Sequence, residues 1–129
     1  MITLLGLHYS PWTVRARWAL DHCGIRYRYT EYLPGVGEPL LRLRMRRLRG
    51  LVQVPVLFVD GAMVAGSHAI ARYAAERVGG APLGDLTATE RWEVLSDAAC
   101  HEGRLQVIRR SLASPRAQEE GLNGVVPRF

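Results

Sequence analysis

The chain has little cysteine, no long apolar run and no internal repeat. Its two cysteines, Cys23 and Cys100, form neither a Cys-x-x-Cys pair nor a metal-binding pattern with the four histidines. Disulfide-stabilised scaffolds and the common zinc motifs are therefore not expected, and free thiols indicate a reducing, cytoplasmic location. No segment predicts a signal peptide or a membrane span. We expect a soluble cytoplasmic protein without a metal.

Length and charge define the scale of the protein. A chain of 129 residues with 48% hydrophobic content can build one ordinary core, so we expect one complete domain plus a fragment. The formal net charge is +5. The positive charge is concentrated in one short segment that contains Arg42, Arg44, Arg46, Arg47 and Arg49. We interpret this segment as a solvated helix face. The alternatives are a surface that gathers an anionic ligand and a nucleic-acid contact, and we do not expect nucleic acid as a partner.

The first 31 residues predict a strand, a helix and a second strand. The apolar run at residues 2–7 has a nearly continuous hydrophobicity that indicates burial on both faces of a sheet. Apolar residues then recur at helical spacing from residue 12 onward, with Thr13 on the opposite, polar side. Alternation over residues 26–31, which is rich in tyrosine, predicts the second strand. Because a helix separates the two strands, we expect them to be parallel.

The middle of the chain predicts a hairpin. Asp60-Gly61 separates two short apolar runs, residues 56–59 and 63–65, and this arrangement is typical of an antiparallel β-hairpin. Residues 39–49 fit a strand or a helix, and we favour a short exposed helix because arginine and leucine both favour that state.

Two further helices are predicted toward the end of the chain. One begins with Ser67 as its N-cap residue, and a long helix extends over residues 87–112. Residues 114–129 mix glycine, proline and charge without a period, so we expect this tail to be loosely ordered.

The junction between the first strand and the first helix is a candidate binding corner. Ser10 is a preferred N-cap residue, and Pro11 suits the first helical position because its missing N–H would be unpaired there. Free backbone N–H groups and the positive end of the helix dipole favour an anion at such a corner. A helix cap without a ligand is the alternative at this point.

The predicted order of elements, βαβαββα, resembles the thioredoxin fold of the α/β class. Within this order the chain resembles the N-terminal domain of glutathione S-transferases. Three motifs in the family's order carry the resemblance: Tyr9-Ser10-Pro11-Trp12-Thr13-Val14-Arg15, Gln53-Val54-Pro55-Val56-Leu57 and Gly66-Ser67-His68-Ala69-Ile70-Ala71-Arg72-Tyr73.

The resemblance implies which residues bind glutathione. The Ser10 hydroxyl would donate a hydrogen bond to the glutathione sulfur and favour its thiolate. A cis bond before Pro55 would leave the Val54 backbone free to pair with the cysteinyl part of the tripeptide. Ser67, with its own N–H, would hold the γ-glutamyl carboxylate, and Gln53 lies where the family often has a residue near the glycyl end.

Three neighbouring positions complete the implied site. Gly66 stands where the family usually has an acidic or amide residue that holds the amino group of the tripeptide. Tyr9 is a secondary candidate that could replace Ser10 as the sulfur donor, unless its side chain points into the core. Trp12 is a further secondary candidate.

The resemblance also implies a domain organisation. We expect a thioredoxin-like glutathione-binding domain at residues 1–79, a linker at 80–86 and a truncated helical segment at 87–129. The second domain of the family is an all-helical bundle that forms the pocket for the electrophile. With that bundle curtailed, we expect exposed apolar surface on the helix at residues 87–112, which favours association.

The implied function is that of a serine-type glutathione S-transferase. Such a protein binds glutathione as a co-substrate, activates its thiol for attack on a small hydrophobic electrophile and forms a homodimer. Two alternatives remain open: a non-catalytic transferase-like interaction or regulatory module, and a glutathione-dependent cis–trans isomerase. Disulfide reductase activity fits less well, since Ser10 and Thr13 occupy the positions of the two glutaredoxin cysteines.

Overall fold

The computed structural model describes residues 1–33, 37–44, 53–79 and 86–119. Its strands and helices are β1 Ile2–Gly6, α1 Pro11–His22, β2 Arg28–Glu31, α2 Gly37–Arg44, β3 Val56–Val59, β4 Ala62–Ala65, α3 Ser67–Arg77 and α4 Leu86–Ala113. This order confirms the predicted thioredoxin-like α/β fold through α3, followed by a helical segment.

The strands form one four-stranded sheet in the order β2-β1-β3-β4. β1 and β2 are parallel, with Leu4 opposite Tyr29, as the intervening helix predicts. β3 runs antiparallel to β1, with Leu57 opposite Leu4, and β4 runs antiparallel to β3. The predicted hairpin turn is confirmed, since Asp60 and Gly61 both have positive φ angles, 45° and 91°.

One face of the sheet carries the main core. Leu4 of β1 and Leu57 of β3 pack there with Leu20 of α1 and with Ile70 and Ala74 of α3. All five side chains are fully buried. Burial of each leucine or isoleucine contributes about 1.5 to 3 kcal/mol to stability. This core fixes α1 and α3 side by side on the same face of the sheet.

The opposite face packs against α2. Val56 and Phe58, which alternate with Leu57 along β3, contact Leu41 of α2. A helix at residues 37–44 confirms part of the prediction for residues 39–49, but the expectation of an exposed helix is wrong for Leu41, which is 2% exposed. The remainder of the arginine-rich segment lies outside the described residues.

The chain separates into two compact units, residues 1–89 and residues 90–129. The first contains the sheet and α1 to α3. The second contains most of α4, on which several large apolar side chains are exposed: Trp92, Val94, Leu95, Val107 and Leu112. This exposure is the one expected for the long helix.

Two findings complete the second unit. Residues 115–119 form a further helical turn, so the expectation of a loosely ordered tail is wrong for these residues, and residues 120–129 lie outside the description. Ser114 begins the turn by accepting a hydrogen bond from the Ala117 N–H at its side-chain oxygen, over 3.3 Å. None of the described helices combines the length and the apolarity needed to cross a membrane.

Candidate functional site

Three segments of the first unit meet at one edge of the sheet. Leu5 near the end of β1 lies opposite Val56 at the start of β3, and Val56 lies opposite Ala65 at the end of β4. The Gly66 N–H donates a hydrogen bond to the Pro55 carbonyl over 2.9 Å. The register therefore brings together the segments before α1, before β3 and before α3. We call residues 7–11 the α1 corner and residues 65–68 the α3 corner.

Ser10 lies at the predicted place in the α1 corner. It is the N-cap residue of α1, with φ −77° and ψ 126°, and Pro11 occupies the first turn. Within the described part of the chain, the Ser10 hydroxyl makes no capping hydrogen bond. The backbone closes the corner, since the Ser10 N–H donates to the Leu7 carbonyl over 2.9 Å. The residue is 9% exposed, so its hydroxyl belongs to a nearly buried corner.

Thr13 and Gly6 stabilise the α1 corner on its buried side. The Leu7 N–H donates to Thr13 Oγ1 over 3.1 Å, and Thr13 is fully buried. A Cβ on Gly6 would lie 2.5 Å from Thr13 Cγ2, so only glycine leaves room for this side chain. The prediction that Thr13 lies on the polar side of α1, opposite the apolar stripe, is therefore wrong, because the threonine hydroxyl satisfies a backbone donor inside the protein.

A polar cluster connects the α1 corner to β2. Glu31 Oε1 accepts hydrogen bonds from the His8 N–H over 3.1 Å, and His8 Nδ1 lies 3.0 Å from the same oxygen. The Tyr29 hydroxyl lies 2.6 Å from Glu31 Oε2 and 2.9 Å from the Gly6 carbonyl oxygen. These contacts hold the main chain at Gly6 and at His8, on either side of the start of the α1 corner.

The same cluster shifts the titration of its members. Partial burial raises the pKa of the Glu31 carboxyl, but the hydrogen bonds from Tyr29 and His8 outweigh burial and lower the pKa below its usual value. Burial raises the pKa of the Tyr29 phenol, and the neighbouring Glu31 carboxylate raises it further. At neutral pH the cluster therefore contains an ionised Glu31 and a neutral Tyr29.

The segment before β3 supplies the second part of the edge. The Val54–Pro55 peptide bond is cis, and Pro55 is fully buried. Val54 is half-buried and Gln53 is exposed. The Pro55 carbonyl thus contacts the α3 corner, and Pro55 directly precedes the β3 residue that lies opposite Leu5 of β1. Gln53 lies on the surface at the beginning of the segment.

The α3 corner differs from its prediction at one residue. Gly66, with φ 92° and ψ 146°, is the N-cap residue, and Ser67 is the first residue of α3. The prediction of Ser67 as N-cap is therefore wrong by one position, because the positive φ of the cap suits glycine. Ser67 is 2% exposed, and its Oγ accepts a hydrogen bond from Arg15 Nη1 over 3.4 Å.

Arg15 connects the two helices at this edge. From the second turn of α1 it also contacts His68 of α3, with Nη1 2.8 Å from Nε2. The α3 corner thus contains a guanidinium group beside a helix N-terminus. Both the guanidinium and the helix N-terminus carry positive charge.

The two secondary candidates lie near the α1 corner. Tyr9 is 65% exposed, and its ring packs edge-on against His8 with centroids 5.1 Å apart. Its side chain therefore does not point into the core. Trp12 is half-buried in the first turn of α1.

Sequence reasoning missed three residues that shape the site: Arg15, Glu31 and Thr13. Helical periodicity placed Thr13 on the polar side of α1, and nothing local marked Arg15 as a partner of a serine 52 residues away. Gly6 at the end of β1 was the available signal for the burial of Thr13, since a glycine inside a strand often marks the close approach of another part of the chain. Among the described residues, no three His, Cys, Asp or Glu side chains gather as metal ligands would.

The fold and this edge define a thioredoxin-like protein with two helix N-termini at a cis-proline segment. The family model for the glutathione S-transferase N-terminal domain matches residues 9–77, which is more than half of the chain. The chain belongs to this family. No curated protein sequence matches it significantly.

Solved structures agree with the fold. A tau-class glutathione S-transferase from mango, Mangifera indica, superposes with a TM-score of 0.62 and is 22% identical in sequence; the match covers 96% of this chain and 57% of the mango chain. A glutathione S-transferase of Ceriporiopsis subvermispora in complex with glutathione has a TM-score of 0.59 and is 19% identical; the match covers 76% of this chain and 45% of the relative. Glutaredoxin 1 from Francisella tularensis has a TM-score of 0.51 and is 15% identical; the match covers 60% of this chain and 95% of the glutaredoxin. The chain thus spans about half the length of these two transferases.

Proposed function

We propose that the chain binds glutathione at the shared edge of the sheet and activates its thiol for conjugation to a small hydrophobic electrophile. The observation that carries the proposal is the convergence of the Ser10, Pro55 and Ser67 segments in a chain of this family. The Ceriporiopsis subvermispora relative, which shares the fold, is in complex with glutathione. The binding domain corresponds to the proposed domain at residues 1–79.

Ser10 has the proposed catalytic role of donating a hydrogen bond to the glutathione sulfur. Lowering a thiol pKa by about two units requires about 2.7 kcal/mol of preferential thiolate stabilisation. A helix N-terminus provides about 0.3 to 1 kcal/mol, and at most about 2 kcal/mol. A hydrogen bond to a charged sulfur contributes about 1.5 to 3 kcal/mol, so the hydroxyl and the helix together reach the required value. Donation of the hydroxyl proton to a sulfur does not compete with helix capping, in which the serine oxygen is the acceptor.

The other site residues hold the tripeptide along the edge. The proposed partners are the Val54 backbone for the cysteinyl part, Gln53 for the glycyl end, and Ser67 for the γ-glutamyl carboxylate. Ser67 suits this role because the first N–H groups of a helix have no acceptor within the helix. The burial of Ser67 supports its role, since a nearly desolvated donor binds a carboxylate more strongly than an exposed one.

Calorimetric titration with glutathione tests binding directly. We expect a dissociation constant between micromolar and low millimolar for the wild type and a loss of about 10- to 150-fold in Ser67→Ala, since a hydrogen bond to a charged group contributes about 1.5 to 3 kcal/mol. The matched control is Ser111→Ala, since Ser111 is a half-buried serine of α4 in the second unit. This variant should bind glutathione as tightly as the wild type does. Absence of binding at several millimolar glutathione would overturn the proposal.

The proposal includes a cytoplasmic homodimer. Two free cysteines support a reducing compartment, and the exposed apolar side chains of α4 support association. Sedimentation of the purified chain measures the oligomeric state, and a monomer at high micromolar concentration would contradict the dimer.

The same exposed side chains of α4, with Trp92 at 71% exposure, favour a second candidate function. This candidate is a non-catalytic interaction module, in which α4 contacts a partner protein. It predicts glutathione binding without turnover. An electrophile screen decides between the two candidates, because conjugation that is lost in Ser10→Ala supports the enzyme and contradicts the module.

A further inference from the structure

The α1 corner contains a histidine whose ring is held by a carboxylate. His8 Nδ1 lies 3.0 Å from Glu31 Oε1, and the same oxygen accepts a hydrogen bond from the His8 N–H over 3.1 Å. The Tyr29 hydroxyl lies 2.6 Å from the other carboxylate oxygen, Oε2. Because Glu31 is ionised at neutral pH, the neutral imidazole keeps its proton on Nδ1 and donates it to the carboxylate. Nε2 is then the proton-accepting nitrogen of the ring.

His8 lies close to Ser10 and is accessible. The Ser10 N–H donates to the Leu7 carbonyl, so His8 and Tyr9 are the two central residues of a tight turn. Two residues of main chain span at most about 7 Å, which places His8 near any atom that accepts a hydrogen bond from the Ser10 hydroxyl. The His8 side chain is 69% exposed, so its ring is open to a ligand and to water.

The proposed function requires a group that takes up the proton of the glutathione thiol. The Ser10 hydroxyl and the helix N-terminus stabilise the thiolate, but neither accepts that proton. The described titratable groups around His8 and its carboxylate are Tyr9, Arg17, Tyr29 and Glu31. Phenols and guanidinium groups already carry their protons at neutral pH, and both oxygens of the carboxylate have partners. Among these groups, the His8 imidazole is therefore the one suited to accept a proton.

We propose that His8 is a further catalytic residue, which accepts the thiol proton of bound glutathione at Nε2, directly or through one water molecule. Glu31 is its positioning residue. The inference rests on the proposed function. The sulfur–hydrogen bond breaks, the electron pair stays on the sulfur beside Ser10, and the proton forms a bond to Nε2. The Glu31 carboxylate stabilises the resulting imidazolium, which passes its proton on to water because the ring is exposed.

Temperature-jump relaxation of the full chain with saturating glutathione, in dilute buffer at about pH 7, tests this role. The ultraviolet absorbance of the thiolate gives both the rate and the extent of thiol ionisation. A proton acceptor changes the rate and not the equilibrium, whereas Ser10 changes the equilibrium. We expect His8→Gln to slow the relaxation by about 100-fold and to leave its extent unchanged. Added imidazole should restore the rate in this variant, because an external base replaces the missing one.

Two further variants separate proton transfer from structure. His22→Gln is the matched control, since His22 is an exposed histidine of α1 that stacks on Trp18, with ring centroids 5.0 Å apart. It should relax as the wild type does. Glu31→Gln should slow the relaxation less than His8→Gln, because the ring remains and loses only the charge that stabilises its imidazolium.

The outcomes distinguish this inference from the proposed function. A rate that His8→Gln leaves unchanged, or a loss of rate that imidazole does not restore, would overturn the role of His8 and leave the proposed function standing. An equal loss of rate in His22→Gln would also overturn it. Failure of the wild type to bind glutathione at several millimolar would overturn both.

Discussion

The α1 corner and the α3 corner lie at the same edge of the sheet but are built differently. Three side chains from two elements fix the α1 corner: Thr13 of α1, and Glu31 and Tyr29 of β2. The α3 corner has a glycine cap, and the long side chain of Arg15 contacts it from α1. The first corner is therefore suited to positioning one hydroxyl, and the second to attracting a negative charge.

Glycine has a different role in each corner. Gly6 is required because of space, since a Cβ would approach Thr13 to 2.5 Å. Gly66 is required because of its backbone, since φ is 92° although the space around it is open. Substitution of each glycine separates a packing requirement from a conformational one.

Gly6→Ala should have the largest effect on stability. The new methyl group would collide with Thr13 and displace the side chain that accepts from the Leu7 N–H, at a cost of about 2 to 3 kcal/mol. Urea denaturation measures the loss. The double variant Gly6→Ala/Thr13→Ser removes the methyl group at 2.5 Å and should recover part of it. Equal stability of Gly6→Ala and the wild type would show that the α1 corner is loosely packed.

Gly66→Ala should cost less, about 1 to 2 kcal/mol. The methyl group meets no described atom, so the cost comes from holding alanine in a backbone region that favours glycine. Thermal unfolding measures it, and Gly103→Ala is the control. Gly103 lies inside α4 with open space around its Cβ, so alanine should stabilise that helix by about 0.5 to 1 kcal/mol. A loss in Gly66→Ala as large as in Gly6→Ala would contradict the distinction between the corners.

Glu31→Gln should destabilise the protein by about 0.5 to 1 kcal/mol at neutral pH, through weaker bonds to Tyr29 and His8 at a partly exposed site. The folded state lowers the pKa of Glu31, so its contribution is present above the unfolded pKa and is lost as the pH falls through the folded pKa.

Denaturation of both proteins at about pH 7 and about pH 3 checks the sign of this pH dependence. The difference in the free energy of unfolding should shrink at the lower pH. A difference that grows on acidification would refute the role of the Glu31 carboxylate.

Tyr73→Phe should have the smallest effect and leaves both corners unchanged. The Tyr73 hydroxyl is buried without a hydrogen-bond partner among the described residues. Removing an unsatisfied buried hydroxyl should leave stability unchanged or raise it by up to about 1 kcal/mol. Chemical denaturation measures this difference, and a loss above about 1 kcal/mol would indicate a partner for the hydroxyl.

The sequence predicts the parts of the fold that depend on local chemistry. Ser10-Pro11 marks the start of α1, Asp60-Gly61 marks the hairpin, and the helix between β1 and β2 accounts for their parallel pairing. These signals act within a few residues of the chain, so a single sequence contains them completely.

The parts that the sequence does not predict depend on contacts between distant segments. Helical periodicity predicts Thr13 on the polar side of α1. In the structure its side chain is buried against Gly6, where the missing Cβ leaves room for it. The sequence pattern around Arg15 is typical of a surface residue. Its partner Ser67 comes within hydrogen-bond distance only because α1 packs beside α3. The cap shifts from Ser67 to Gly66 because the chain turns out of β4 with a positive φ. Long-range packing thus determines the polar details of both corners.

The most direct test of the account is the titration of the thiol of bound glutathione, followed by the ultraviolet absorbance of its thiolate as the pH is raised. We predict that the pKa of the bound thiol falls by about one to two units in the wild type and returns by about one unit or more toward that of free glutathione in Ser10→Ala. A bound thiol that titrates with the pKa of free glutathione, or a lowered pKa that Ser10→Ala leaves unchanged, would contradict the central claim.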